Sequence, residues 1–146
     1  MYYVNRKQIE TILGQIPDIN KGLRTAAASW DGGTLTGLVQ ERCLHLAIEV
    51  VTDVGSSLID GFIMRDAGSY EDIISIIHEE KVFEGSSLYG LLIRLVALRK
   101  PLVQDYYAWD RTSLHPLTAQ LPEALEQFAA AVQSYLDQEL GAEAPV

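Results

Sequence analysis

The chain has 146 residues, 48% hydrophobic and 21% charged, and its 11 lysines and arginines stand against 20 aspartates and glutamates for a formal net charge of −9. That length suits one domain able to bury about two thirds of its unfolded surface. The acidic balance excludes a protein that coats nucleic acid or anionic membrane unaided, although Arg94, Arg99, Lys100 and Arg111 lie close enough in the chain to form a small basic site.

Helical periodicity dominates, and no strict alternation bounded by hairpin turns appears. Ile9, Ile12, Leu13 and Ile16 predict a first helix over 5–16, interrupted by Pro17 and followed by a second piece to about Ser29. Asp31-Gly32-Gly33 is a break. The longest predicted helix, 35–64, carries a broad apolar face from Leu38 to Phe62. Gly55 and Gly61 lower its propensity, as expected where a neighbouring element approaches closely. Arg65 to Gly68 make a turn, and Ser69 caps a helix over 70–80 with Ile73, Ile74, Ile76 and Ile77 inward. Gly85-Ser86-Ser87 breaks and re-caps before a segment over 88–107. A last helix spans 117–140, with Leu121, Leu125, Phe128, Val132, Tyr135 and Leu136 on one face, and 141–146 reads as a flexible tail. The fold class is therefore all-α: an antiparallel bundle of five or six helices forming a single domain over 1–140. Its helices carry more apolar face than one bundle needs, which predicts a homodimer.

The single Cys43 sits in an apolar helical pattern with no second cysteine to bridge. It reads as a small core residue in a reducing compartment. The N-terminus has no apolar signal core, and no run of 18 uncharged apolar residues exists, so a cytoplasmic protein without a membrane span is expected. Glu41, His45, Glu49 and Asp53 recur every four residues. That spacing can place two metal ligands on one helix face, but it is also that of an ordinary polar stripe, the preferred reading. His78 falls near a helix end, where a cation suits the dipole, and His115 precedes Pro116 in a turn. No cofactor-binding glycine motif is present.

The segment Arg99-Lys100-Pro101-Leu102-Val103-Gln104-Asp105-Tyr106 breaks local rules. At 100° per residue, Leu92, Leu95, Val103 and Tyr106 fall within about 40° of Arg99. A guanidinium on that apolar stripe needs acceptors: an acid such as Glu41, Glu49, Asp53 or Asp60, a backbone carbonyl, or a phosphate. Gln104 lies about 140° away on an ideal helix. Pro101 cannot bond the Ala97 carbonyl, and a kink or one-residue bulge there would widen the spacing toward the five residues that bring Arg99 and Gln104 together.

Arg99-x4-Gln104-x-Tyr106, late in an all-helical chain of this length, resembles the Arg-x4-His-x-Tyr motif of HepT-like proteins of the HEPN (higher eukaryotes and prokaryotes nucleotide-binding) superfamily. The Glu41-Arg42 pair, Ile59-Asp60, Ser69-Tyr70-Glu71-Asp72 and Leu98-Arg99-Lys100 extend the likeness across most of the chain. The resemblance implies a dimeric toxin component, a metal-independent endoribonuclease paired with a small nucleotidyltransferase antitoxin, needing no cofactor. By the same resemblance Arg99 would bind the scissile phosphate of RNA, and Tyr106 would be the residue that adenylyl transfer blocks. The departure is Gln104, which stands where the family has histidine. Glutamine hydrogen-bonds but exchanges no proton near pH 7. That leaves open a weakened nuclease, one using Asp105 or Tyr107 as base, or a noncatalytic helical module that docks the nucleotidyltransferase.

Overall fold

The structure, a computed structural model, describes residues 2–141. Among them there are helices and no strands: α1 (Arg6–Leu13), α2 (Ile16–Ala28), α3 (Thr34–Gly61), α4 (Tyr70–Glu79), α5 (Ser86–Ala97) and α6 (Pro116–Leu140). Between α5 and α6 lie a π-helical turn, Lys100–Gln104, and a 3-10 turn, Tyr106–Ala108. Of the tail expected over 141–146, only Gly141 is among the described residues.

The helix starts follow local chemistry. Asn5 caps α1 by accepting from the Gln8 N–H at 3.0 Å, and Ser69 caps α4 by accepting from the Asp72 N–H at 3.0 Å. His115 caps α6, its Nδ1 accepting from the Leu117 N–H at 3.1 Å. The first break falls earlier than Pro17. α1 ends at Leu13, and α2 begins at Ile16 with the proline in its first turn, where a missing N–H has no intrahelical partner to lose.

α3 is the axle of the bundle, packed by α1, α2, α4, α5 and α6. Its residues Leu44, Ala47, Ile48, Val51, Val54 and Leu58 are fully buried, as are Leu92 and Leu95 of α5 and Leu121, Leu125, Phe128 and Leu136 of α6. Cys43 belongs to this core, and burial pushes its thiol pKa up, which suits packing rather than nucleophilic chemistry. His78 lies against Tyr89, with ring centroids 4.5 Å apart and planes 23° apart.

The glycines of α3 mark close approaches. A Cβ at Gly55 would stand 2.4 Å from Ile73 Cγ2 of α4, and one at Gly61 would stand 2.7 Å from Val4 Cγ2 in the segment that precedes α1. Gly55 thus sets the distance between α3 and α4, and α4 carries Tyr70, the ring on which Arg99 rests. Gly55→Val is expected to destabilise the fold by about 1–3 kcal/mol, because the atom it would meet is the methyl carried on the Ile73 β-carbon, which cannot swing away as the end of a long side chain can. A midpoint in chemical denaturation equal to that of the parent would contradict this.

Candidate functional site

The local break at Pro101 has a defined form. α5 ends at Ala97, and the Leu98 N–H bonds the Leu95 carbonyl at 3.0 Å. The Leu102 N–H returns to Leu98 at 2.8 Å, and the Asp105 N–H then reaches back five residues to the Lys100 carbonyl at 2.9 Å. Proline removes one rung of the ladder, and the chain takes up an extra residue in a π turn. Side chains five apart now stand on one side, as those four apart do on an α-helix. Lys100 and Asp105 use this spacing directly, with Nζ to Oδ2 at 2.7 Å. Arg99 and Gln104 have the same spacing, so the widened register expected from the sequence is present.

The segment over 88–107 is therefore not one helix, and the stripe counted from Arg99 stops with α5. Tyr106 does not share a helical face with Arg99. It lies in the 3-10 turn, 62% exposed beside Tyr107, which is 78% exposed. Gln104 is also exposed, whereas Leu102 is buried and ties the turn to the core. Leu102 faces α3 across a depression of about 240 Å³ lined by Leu38, Glu41, Arg42 and His45.

Arg99 is half-buried, and it has no carboxylate partner among the described residues. Its guanidinium carbon sits 4.2 Å from the centroid of the Tyr70 ring at the start of α4. The ion pair with an α3 acid weighed from the sequence does not form. Glu41 is taken by Arg111, with Nη2 to Oε1 at 2.9 Å, and Glu49 by His45 at 3.2 Å. The stripe of Glu41, His45 and Glu49 is thus spent on side-chain pairs. The basic cluster is partly neutralised in the same way. Lys100 and Arg111 hold acids, Arg94 donates to the Gly90 carbonyl at 3.3 Å, and Arg99 lies on an aromatic face.

The connection that leaves the site is anchored by Gln40 of α3, a residue that the sequence pattern alone did not single out. Gln40 is fully buried. Its Nε2 donates to the Ser113 carbonyl at 3.1 Å. Its Oε1 accepts from the His115 N–H at 2.8 Å and from the Thr118 hydroxyl at 2.7 Å. A signal existed: Gln40 lies on the stripe Gly37, Leu44, Ala47 and Val51, where a polar side chain demands partners. Trp30 adds a bond from Nε1 to the Thr112 carbonyl at 3.2 Å. Burial lowers the pKa of His115, which keeps the neutral ring that its capping role requires. Asp110 is held below the usual carboxylate range by bonds from Ser113 and Thr112. Tyr70, noted from the sequence only as part of the Ser69-Tyr70-Glu71-Asp72 helix start, carries no signal there that it meets Arg99.

On this all-helical bundle a kinked helix end presents an arginine with no carboxylate partner among the described residues, an exposed glutamine and an exposed tyrosine. Comparison with known proteins gives the family. The model of the family described as "Ribonuclease HepT-like" matches residues 9–132, and the chain belongs to that family. It is 40% identical over 144 residues to the Bacillus subtilis (strain 168) protein named "Putative RNase YutE", a match covering 97% of this chain and 96% of that one. A solved structure of YutE from Bacillus subtilis, described as a cytosolic protein of unknown function, superposes with a TM-score of 0.84 at 39% identity. That match covers all of this chain and 98% of the other. Among the described residues no helix is long and apolar enough to cross a membrane.

Proposed function

We propose that this protein is the RNA-directed toxin component of a toxin–antitoxin pair, working as a homodimer in the cytoplasm and acting as a weakened metal-independent endoribonuclease. The observation that carries the reading is Arg99. Its guanidinium, in the segment that resembles the family motif, is held on a ring face with no carboxylate partner among the described residues, five residues from Gln104 across the π turn. An arginine so placed has donors to spend on the nonbridging oxygens of a phosphodiester, and it would stabilise the charge that develops there as the bond to the leaving oxygen breaks. Gln104 can orient the attacking 2′-hydroxyl, but it cannot accept its proton. That proton then passes to water, at a typical cost of about 10²–10⁴ in rate. The homodimer is supported by Leu35, Leu38 and Val39 on the outer face of α3, exposed by 80%, 43% and 41%. A lone copy would leave that apolar patch in water.

Gln104 also favours a second reading, a noncatalytic module that docks a small nucleotidyltransferase and offers it the exposed Tyr106. One experiment separates the two. Wild type and Arg99→Ala are incubated with bulk tRNA, and both cleavage and binding are measured. Slow cleavage by wild type that falls at least about 10²-fold in Arg99→Ala supports the nuclease. Binding without cleavage, weakened in Arg99→Ala with a shallower salt dependence, supports the module. The absence of both cleavage and binding by wild type would discard the RNA reading.

A further inference from the structure

We propose that Tyr70 is a positioning residue that holds Arg99 in place while leaving its hydrogen-bond donors free for phosphate. This inference rests on the reading of Arg99 as the phosphate ligand. An arginine can be fixed in two ways: by a carboxylate, which occupies the donor fork, or by an aromatic face, which attracts the cation and occupies none of its N–H groups. Here the second holds, with the guanidinium carbon 4.2 Å from the Tyr70 centroid.

Two acids near the ring and the turn are already engaged. Asp72, two residues along α4 from Tyr70, is gripped by both terminal nitrogens of Arg65 at 2.9 and 3.0 Å, and it also accepts from the Gly68 N–H at 2.9 Å. Those bonds hold its carboxyl below the usual range, so it stays ionised and committed to Arg65. Asp105, across the π turn, is held by Lys100. Both of these carboxylates have a cation of their own, and Arg99 rests on the ring. Tyr70 in turn is fixed by its place in the first turn of α4, where Ser69 caps the helix. Beside the ring lies an open hollow of about 420 Å³ lined by Ser56, Ala67, Gly68, Ser69, Tyr70 and Ile73, and Arg99 is itself only half-buried.

The test uses the full chain with Tyr70→Phe, which keeps the ring face, and Tyr70→Leu, which removes it. Tyr70 is 43% exposed, and thermal unfolding checks that both variants fold. Side-chain NMR of the arginines, with Arg99 assigned by its loss in Arg99→Lys, is followed during titration with inorganic phosphate and, separately, with a single-stranded oligouridylate. Wild type and Tyr70→Phe should show an Arg99 signal shifted by the ring current. That shift should vanish in Tyr70→Leu, with phosphate affinity lower by roughly five- to thirtyfold.

A wild type without the ring-shifted signal, or without a phosphate response at Arg99, would overturn the proposal. So would a Tyr70→Leu that binds phosphate as wild type does. A phosphate response with the expected variant pattern but no oligouridylate binding would remove the RNA reading and leave Tyr70 in its role.

Discussion

Gln104→His is expected to raise RNA cleavage by about 10²–10⁴-fold over wild type, the usual worth of one positioned proton-transfer group. Its side chain is exposed, so the exchange should leave stability within about 0.5 kcal/mol. Five residues from Arg99 across the π turn, an imidazole would stand on the arginine's side and could take the 2′-hydroxyl proton near pH 7. The gain should follow the imidazole's titration, rising as pH increases through about 6.5, and should disappear in the double variant with Arg99→Ala. Rates for the single variant equal to wild type across that range, measured on bulk tRNA, would show that a missing base at 104 is not what limits this chain.

Gln40→Leu is expected to cost about 3–5 kcal/mol in chemical denaturation. The leucine fills a similar volume but strands the Ser113 carbonyl, the His115 N–H and the Thr118 hydroxyl, each about 1–3 kcal/mol when buried without a partner. Two of those groups flank the His115 cap of α6, so faster hydrogen exchange over 113–118 should accompany the loss. Gln40→Glu makes the informative contrast, since it keeps the acceptor for His115 and Thr118 but sets against the Ser113 carbonyl an oxygen that must either carry a buried charge or hold a proton. A Leu variant within about 1 kcal/mol of wild type would mean that the connection finds water at little cost.

The helices are legible in the sequence because apolar residues recur at helical spacing over long stretches, and the caps at Asn5 and Ser69 announce themselves. The two prolines show where such legibility ends. Pro17 has the look of a terminator and is instead tolerated in a first turn, so the boundary lies upstream of it. Pro101 is legible as a disturbance, and so is its bulge. Counting 100° per residue through it, however, wrongly aligns Tyr106 with Arg99. Partners are harder to see than positions. Glu41 pairs with Arg111, seventy residues away, and nothing local distinguishes that pairing from one with Arg99. The ring beneath Arg99 comes from another helix, and aromatic residues at a helix start carry no mark of what they cover. The spacing of Arg99, Gln104 and Tyr106 is readable, since a spacing along the chain survives any error in the surrounding geometry.

The π turn also governs how this chain tolerates change. A residue deleted within α5 would rotate Leu88, Leu92, Leu95 and Val96 out of phase with the core by about 100°. A residue deleted between 100 and 104 would instead leave α5 in phase with the core, and the shift would fall on Leu102 and on the connection to α6. Position 104, exposed at the end of the turn, can change without being felt in the packing of α5.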